Sequence, residues 1–319
     1  MKELLQDLFS SGISVSDNFI RLQDLPGTNE DNQEQTKDIF STKWEEVEKT
    51  KDVESLYTFQ YDWFLQLYGF DTEKELASYL ADKKVIIDTG CGLGYKAAWF
   101  AKLSPGSIVF GIDISNAVHL AAKNFATIPN LFFLQGDIAK TGLKENMIDF
   151  TVCDQVIMHT EEPEKTFAHL SGITKKGGEF ACYVYRKKAL PRELVDDYFR
   201  GETHHIPDDK MWEFSEQLTV LGKNLSDLKV NIQCPDIPVL GIKGGQYDIQ
   251  RFIYWNFLKC FWKDDWSFEL NKSTNYDWYA PSNAKRFSRE DFEQMIATNN
   301  LTVTFFHEEE ACYSGRFKK

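Results

Sequence analysis

Short apolar runs alternate with amphipathic segments between residues 85 and 185. The runs are bounded by polar or glycine-containing turns, which is typical of buried parallel strands. The predicted strands cover residues 85–88, 108–112, 131–134, 150–153 and 179–185. The amphipathic segments predict helices at residues 95–103, 116–125 and 163–173. This alternation predicts a parallel sheet with helices on both faces.

The chain before residue 85 carries a helical pattern instead. Between residues 40 and 80, apolar side chains recur at spacings of three and four, which indicates one buried helix face. Thr72 followed by Glu75 predicts a capping box at a helix start. The polar segment 27–38 predicts a loop or a mobile linker.

Residues 186–286 interrupt the alternation of strands and helices. Of the 30 residues from 251 to 280, 11 are aromatic, although aromatic residues make up only 14% of the chain. The pattern then resumes with a helix at 288–298, for which Ser288 and Asp291 predict an N-terminal cap. Strands at 301–306 and 312–317 follow, separated only by an acidic turn, which predicts an antiparallel hairpin.

These elements predict an α/β fold with a doubly wound, mostly parallel, seven-stranded sheet that ends in an antiparallel hairpin. Four segments are expected along the chain. An N-terminal helical extension (1–84) caps the site, and a core (85–185) carries the first five strands. An aromatic-rich inserted subdomain (186–286) caps the substrate, and a last helix with the hairpin (287–319) closes the sheet.

Composition and net charge limit the classes of partner that the sequence predicts. The chain has 319 residues and a formal net charge of −13, of which residues 1–84 contribute −9 (9 basic, 18 acidic). This acidic balance disfavours nucleic acid, whose phosphates bind clusters of cations. No apolar run approaches the ~18–20 residues that span a bilayer, and the N-terminus does not resemble a secretory signal. The six cysteines show no metal-ligand spacing, so we expect reduced thiols, no metal and a cytoplasmic protein.

A glycine-rich turn follows the first predicted core strand. Its pattern is Asp88-x-Gly90-x-Gly92-x-Gly94, and a helix opens directly after it. Such a turn lets the backbone approach a ligand, and the helix N-terminus offers N–H groups to an anion. A dinucleotide or S-adenosylmethionine could occupy it. A dinucleotide site usually has a glycine at the position of Tyr95. The Asp88 carboxylate also suits an amino group better than a pyrophosphate. The turn therefore favours S-adenosylmethionine.

Acidic residues also end the next three strands. Asp113 lies 19 residues after Gly94, where a carboxylate accepts from ribose hydroxyls. Asp137 ends the third strand, where it could accept from an adenine amine, and Asp154 ends the fourth. Each acid alone could be a capping residue. Their order along four successive strands predicts a cofactor site.

Residues 85–185 and the closing hairpin resemble a class I S-adenosylmethionine-dependent methyltransferase. The resemblance is carried by the glycine turn and by the stretches 111–115, 135–138 and 149–155. It implies that Asp88 and residues 90–94 hold the methionine part, Asp113 the ribose and Asp137 the adenine. The full expected cofactor set is Asp88, Gly90, Cys91, Gly92, Gly94, Asp113, Ile114, Asp137, Ile138, Asp154 and Gln155. The Asn/Asp-Pro-Pro-Tyr motif of exocyclic-amine methyltransferases is missing, which disfavours methylation of bases or glutamine.

Residues for the methyl acceptor are expected at the same edge of the sheet. His159, just after the fourth strand, could take a proton from a hydroxyl, or could simply bond to backbone. His204 and His205 are a second candidate for this role. The rings Tyr276, Trp278 and Tyr279 lie near the return of the insertion and are candidate substrate contacts. The alternative for all such rings is packing within the inserted subdomain. A weaker resemblance of residues 276–281 is to small-molecule and surface-sugar methyltransferases.

The sequence thus predicts methyl transfer from S-adenosylmethionine to an oxygen, nitrogen or sulfur of a small molecule, by in-line displacement. A protein or tRNA methyltransferase is the alternative enzyme, although the net charge weakens the tRNA version. A catalytically silent S-adenosylmethionine-binding partner subunit is the alternative of another class. A nicotinamide oxidoreductase is opposed by Tyr95. The sequence leaves a homo-oligomer open.

Overall fold

The computed structural model describes residues 2–23, 31–49, 53–203 and 205–319. The chain divides into two compact units. The first unit contains residues 1–44, 55–186 and 285–319. The second contains residues 45–54 and 187–284. Within the part of the chain that is described, no helix is both long and apolar enough to cross a membrane. All six cysteines are free thiols.

A nine-stranded sheet forms the centre of the first unit. Its strands are β1 (Ile13–Ser16), β2 (Phe19–Leu22), β3 (Val85–Thr89), β4 (Ile108–Asp113), β5 (Leu131–Gln135), β6 (Ile148–Cys153), β7 (Thr174–Tyr185), β10 (Thr302–Glu308) and β11 (Cys312–Lys318). The spatial order is β1-β2-β5-β4-β3-β6-β7-β11-β10. The run from β2 to β7 is parallel, whereas β1, β11 and β10 pair with their neighbours antiparallel. Every residue of β3 and β4 is buried, as expected for central strands covered on both faces.

Helices flank this sheet and connect its parallel strands. They are α1 (Lys2–Leu8), α3 (Val53–Tyr68), α4 (Glu73–Leu80), α5 (Tyr95–Leu103), α6 (Ala117–Asn124), α7 (Pro163–Ile173) and α12 (Arg289–Thr298), with a 3-10 helix at Ile157–His159. Helix α2 (Asp31–Lys49) belongs to the first unit up to Trp44. The predicted α/β class, parallel core and closing antiparallel hairpin are confirmed.

The sheet has two more strands than the seven predicted. Strands β1 and β2 form a hairpin that turns at Asp17, where φ is 54°, and β2 then pairs parallel with β5. Ile20 is fully buried there. Each strand has only four residues, so its alternation of apolar and polar side chains is too brief to stand out in the sequence.

The predicted loop at 27–38 is wrong for residues 31–38, which are helical in α2. Residues 27–30 lie outside the described residues. Even buried positions of this part of the helix are polar, among them Gln33 and Thr36. Without a periodic stripe of apolar residues, the segment carries no sequence signal of a helix, and its polar composition favours a loop.

Both predicted helix caps form, with one difference in detail. At α12, the Ser288 hydroxyl accepts from the Asp291 N–H at 3.1 Å, and the Asp291 carboxylate accepts from the Ser288 N–H at 2.8 Å. At α4, the Thr72 hydroxyl accepts from the Glu75 N–H at 3.2 Å. The Glu75 carboxylate accepts from the N–H of Asp71, one residue before the expected donor. Each cap is worth about 1 kcal/mol.

The second unit is mainly helical. It contains α8 (Leu190–Thr203), α9 (Asp208–Asp227), α10 (Ile249–Asn256), α11 (Phe268–Tyr279) and a two-stranded antiparallel sheet of β8 (Asn231–Cys234) and β9 (Gly245–Asp248). The chain between α10 and α11 forms no regular helix or strand, and buried asparagine side chains accept hydrogen bonds from its backbone. Asn275 accepts from the Phe261 N–H at 2.7 Å, and Asn271 accepts from the Lys263 N–H at 2.8 Å.

Two helical glycines of this unit give a matched test of its packing. A Cβ added at Gly222 of α9 would lie 2.4 Å from the Cys260 carbonyl oxygen, whereas one added at Gly201 of α8 would meet nothing within 4 Å. Gly222→Ala should therefore destabilise the protein by about 1–3 kcal/mol. Gly201→Ala should stabilise it by up to about 1 kcal/mol, because alanine is the better helix former. Denaturant unfolding of both variants measures this, and equal effects would contradict the close backbone approach at Gly222.

Candidate functional site

Four acidic residues lie at one edge of the parallel sheet. Asp88 and Asp113 belong to β3 and β4, and Asp137 and Asp154 follow β5 and β6. Because these four strands are neighbours in the order β5-β4-β3-β6 and run parallel, their carboxyl ends meet at the same edge. In an open α/β sheet, that edge is where ligands bind.

Asp88 is the most deeply buried of the four acids, with 1% of its surface exposed. Its Oδ2 atom has no hydrogen-bond partner among the described residues. Burial raises the pKa of Asp88 to about 6, against the opposing effects of the Lys96 ammonium and the Ala97 N–H, while Asp154 and Asp113 add to the rise. A buried carboxylate oxygen without a partner is costly, so it points to a donor that a ligand supplies.

Lys96 neutralises part of this acidic cluster. It lies in the first turn of α5 and forms an ion pair with the Asp154 carboxylate, with both side chains largely buried (13% and 2% exposed). The Tyr68 hydroxyl donates to Asp154 Oδ1 at 2.9 Å, and the Gln155 amide donates to Oδ2 at 3.2 Å. Burial lowers the pKa of Lys96, but Asp154 and Asp88 outweigh it and the net shift is upward. Asp154 is thus already satisfied within the protein.

The glycine turn packs tightly against its surroundings. Gly90, Gly92 and Gly94 have φ values of 79°, 51° and 78°, where side chains other than glycine are strained. A Cβ at Gly92 would lie 2.9 Å from the Trp44 indole, and one at Gly90 would lie 2.4 Å from Val156. The turn therefore requires glycine for its own conformation and packing, in addition to any requirement of a ligand.

Asp113 holds the glycine turn and the start of α6 together. Its Oδ2 accepts from the Gly92 N–H at 2.7 Å, and its Oδ1 accepts from the Ser115 N–H and hydroxyl at 2.8 and 2.6 Å. Burial raises its pKa, while these bonds oppose the rise. A carboxylate has about four acceptor sites, so these three bonds leave one on Oδ2.

The remaining expected cofactor residues surround this cluster. Asp137 is half-buried and accepts from the Ala139 N–H at 2.8 Å, and Ile138 is 5% exposed. Ile114 follows Asp113 and is half-buried. Burial keeps the pKa of the Cys91 thiol well above its usual range, which opposes a nucleophilic role. Gln155 adopts a left-handed conformation with φ of 64°, an unusual geometry for a residue other than glycine.

His159 ends the 3-10 helix that follows β6, and only 5% of its surface is exposed. Its Nε2 atom lies 3.4 Å from the Tyr185 hydroxyl at the end of β7. The Phe40 ring of α2 meets the imidazole edge-on, with the ring centroids 5.0 Å apart. The sequence places His159 at this edge, but it does not indicate either ring neighbour.

The expected acceptor contacts in the second unit are buried inside that unit. Tyr276, Trp278 and Tyr279 lie in α11 with 0%, 4% and 0% exposure. The Tyr279 hydroxyl donates to Asp196 at 3.1 Å, and Tyr276 stacks on Trp212 with centroids 3.8 Å apart. These contacts account for the rings as packing, and their role toward an acceptor stays a prediction. His205 is exposed, and His204 lies outside the described residues.

Sequence reasoning missed Lys96, Tyr68, Val156 and the position of Trp44 over the turn. Lys96 carried one usable signal, because it lies in the first turn of a predicted helix, where the helix N-terminus disfavours cations. A charge placed there needs a local acidic partner. Trp44, Tyr68 and Val156 carried none, since their neighbours are distant in sequence.

Comparison with known proteins identifies the family of the domain that contains this edge. Residues 87–182 match the methyltransferase domain family. Residues 87–182 of the chain therefore form a class I S-adenosylmethionine-dependent methyltransferase domain. A ubiquinone biosynthesis O-methyltransferase of Coxiella burnetii is 25% identical over 198 residues, covering 56% of this chain and 76% of that protein. A malonyl-[acyl-carrier protein] O-methyltransferase of Halalkalibacterium halodurans is 30% identical over 101 residues (30% and 37% of the two chains). A sterol 24-C-methyltransferase of Saccharomyces cerevisiae is 29% identical over 125 residues (38% and 30%).

The residues of this methyltransferase fit S-adenosylmethionine. The unpartnered Oδ2 of Asp88 is a buried acceptor suited to an ammonium group, and the remaining acceptor site of Asp113 suits a hydroxyl. Asp137 also keeps acceptor capacity beyond its bond from the Ala139 N–H. Asp154 fits a cofactor contact less well, since Lys96, Tyr68 and Gln155 already bond to it.

We expect the affinity of the methyltransferase for S-adenosylmethionine to fall as the pH is lowered through about 6. Protonation of Asp88, whose pKa is raised to about 6, would remove the charge that an ammonium group needs. One linked proton gives a loss of up to about tenfold per pH unit. Calorimetric titration across this range measures the dissociation constant.

Two variants make this pH test specific. Lys96→Met removes the cation that lowers the Asp88 pKa, so the fall in affinity should begin at higher pH. Asp88→Asn should bind weakly with little pH dependence. A wild-type profile that stays flat through this range would contradict the role of Asp88.

Asp113→Ala should weaken S-adenosylmethionine binding roughly 10- to 150-fold, because an unmet hydrogen bond to a charged group costs about 1.5–3 kcal/mol. The variant also releases the Gly92 N–H, so its melting temperature must be measured alongside. Ser115→Ala is the matched control, since it removes one bond to Oδ1 and leaves Oδ2 intact. Equal losses in the two variants would show that Asp113 acts only by shaping the turn.

Proposed function

We propose that this enzyme methylates a nucleophilic oxygen, nitrogen or sulfur of a small molecule, with a hydroxyl as the acceptor that its residues suit best. The observation that carries the proposal is the buried imidazole of His159 at the carboxyl edge of the sheet, between Phe40 and Tyr185. A base assists methyl transfer when the acceptor is a hydroxyl, whose proton must leave.

S-adenosylmethionine, when bound, supplies an electrophilic methyl group on a sulfonium. We assign the binding work to the chain's own acceptors: Asp88 for the ammonium group, Asp113 for a ribose hydroxyl and Asp137 for the adenine amine. Trp44 covers the glycine turn at Gly92 and would help to exclude water. Positioning of this kind provides most of the rate in a displacement that needs little covalent chemistry from the protein.

His159 is assigned the proton of the acceptor. The Tyr185 hydroxyl lies 3.4 Å from Nε2, where it restrains the imidazole, and the Phe40 ring restrains it from another side. The imidazole would accept the proton of the acceptor hydroxyl and pass it to solvent, and the bound cofactor would supply the methyl group and leave as S-adenosylhomocysteine.

Two relatives support a small acceptor group on oxygen. One is a ubiquinone biosynthesis O-methyltransferase and the other a malonyl-[acyl-carrier protein] O-methyltransferase. The sterol 24-C-methyltransferase shows that the same domain also serves carbon acceptors, so the acceptor atom of this chain needs direct measurement. The net charge of −13 opposes an extended nucleic-acid substrate.

The test is a panel of small phenols, alcohols, carboxylic acids, amines and thiols, with release of S-adenosylhomocysteine as the readout. Turnover on a hydroxyl or carboxyl acceptor supports the proposal. Binding of S-adenosylmethionine without turnover on any small acceptor, together with methylation of a protein or of tRNA, would overturn it.

His159→Gln should lower kcat on the identified acceptor by about 10²–10⁴-fold, the usual contribution of a general base. The dissociation constant for S-adenosylmethionine should stay nearly unchanged, because the lost interaction belongs to the transition state. His205→Gln is the matched control, an exposed histidine that the sequence offered as the other candidate. A fully active His159→Gln variant would leave catalysis to positioning alone.

A further inference from the structure

The hairpin that closes the sheet brings a histidine, a glutamate and a cysteine together. His307 is the next-to-last residue of β10, Glu309 follows the strand, and Cys312 begins β11. One ligand atom from each lies within 4.8 Å of the others. None of the three has a part in the methyl-transfer site described above.

The distances between these atoms suit a tetrahedral ion. His307 Nε2 lies 3.3 Å from Glu309 Oε2, and Cys312 Sγ lies 3.7 Å from Glu309 Oε1. Ligands about 2.0–2.3 Å from a zinc ion, at tetrahedral angles, are roughly 3.3–3.7 Å apart. The two contacts use different oxygens of Glu309, so this carboxylate must rotate to present one oxygen to an ion that the other two residues also reach.

The hairpin backbone fixes this arrangement. The Glu309 N–H donates to the Cys312 carbonyl at 3.1 Å, and His307 pairs with Ser314 across the strands. Cys312 is in register with Tyr185 of β7, which anchors the third ligand in the sheet. The cysteine is fully buried, whereas His307 and Glu309 are partly exposed, so an ion can approach from their side.

Of the three consecutive glutamates 308–310, Glu309 is the one whose carboxylate belongs to this cluster. Glu308 points elsewhere and pairs with Arg186 at 2.9 Å and with Arg289 at 2.8 Å. Arg186 also donates to the Glu309 carbonyl at 3.2 Å, but Glu308 offsets its charge. Glu310, the next residue, is exposed.

We propose that His307, Glu309 and Cys312 form a binding site for one zinc-type divalent cation. A thiolate, an imidazole and a carboxylate are the donors that zinc takes, whereas magnesium and calcium prefer oxygen alone. Binding replaces the Cys312 thiol proton with a metal–sulfur bond and releases that proton to solvent. One thiolate and one carboxylate balance the two positive charges, and water completes the coordination.

The site would tie the end of β10 to the start of β11 at the outer side of the sheet. Because the unfolded chain holds no preformed site, the ion should stabilise the folded protein. This inference does not depend on the proposed acceptor, and its tests require no turnover.

The experiment titrates zinc into the untagged, reduced full-length protein against a chromophoric chelator. We expect one equivalent to bind, the melting temperature to rise with zinc, and magnesium and calcium to have no such effect. Cobalt(II) provides the spectroscopic signature, since a thiolate ligand gives a charge-transfer band in the near ultraviolet and tetrahedral geometry gives intense visible bands.

Variants identify the ligands. Cys312→Ser should abolish the cobalt charge-transfer band, and Glu309→Gln and His307→Gln should each weaken zinc binding by at least about 100-fold, since even an outer-shell change costs 10- to 100-fold. Glu310→Gln is the matched control, an adjacent and exposed glutamate that should bind zinc as the wild type does.

Two outcomes would overturn the proposal. One is the absence of stoichiometric zinc binding by the wild type. The other is zinc binding that is unchanged in His307→Gln and Glu309→Gln. Because Cys312 is buried and its serine variant could fail to fold, these two partly exposed positions keep the test decisive.

Discussion

The ion pair between Lys96 and Asp154 is the interaction on which the cofactor edge depends. Parallel pairing of β5, β4, β3 and β6 gathers four carboxylates at one edge, and three of them are buried. Without a cation among them, desolvation and mutual repulsion would favour protonation of at least one. Lys96 lowers the Asp88 pKa while it neutralises Asp154, so one ammonium group keeps a second carboxylate available. A buried ion pair contributes little net stability to a fold. Its main consequence here is that Lys96 favours the ionised form of Asp88.

Two separate sets of contacts, from residues distant in sequence, hold the glycine turn in its conformation. Asp113 accepts from the Gly92 N–H, and Trp44 packs where a Gly92 side chain would lie. From the other side, Val156 packs against Gly90, just after the left-handed Gln155. A residue of the N-terminal helix thus belongs to the same packing as the turn, within the first unit. Substitutions at these glycines would therefore disturb packing and ligand binding together.

The core of the fold could be predicted because its signals are local. The five central strands and helices such as 95–103 and 163–173 are continuous apolar or amphipathic segments, and the acids that end the strands follow from parallel topology. The β1–β2 hairpin escaped because four-residue strands give little periodicity, and residues 31–38 because a polar helix looks like a loop. The partners of Trp44, Lys96 and Tyr68 lie 48, 58 and 86 positions away, at Gly92 for Trp44 and at Asp154 for the other two, so local sequence patterns do not reveal these contacts.

The distribution of charge across the edge also bears on catalysis. Methyl transfer from a sulfonium to a neutral acceptor disperses positive charge, so a carboxylate that held the sulfonium itself would stabilise the ground state more than the transition state. Assigning Asp88 to the ammonium group and Asp113 to the ribose keeps their binding energy on parts that do not react. On the proposed assignment, His159 would meet the acceptor beside Tyr185 and Phe40, the two rings that contact its imidazole. Transfer of the acceptor proton to the imidazole as the methyl group moves would keep the acceptor oxygen from becoming positively charged. In this proposed arrangement, the acids that bind the cofactor end one group of strands, and the base lies in the 3-10 helix that follows β6.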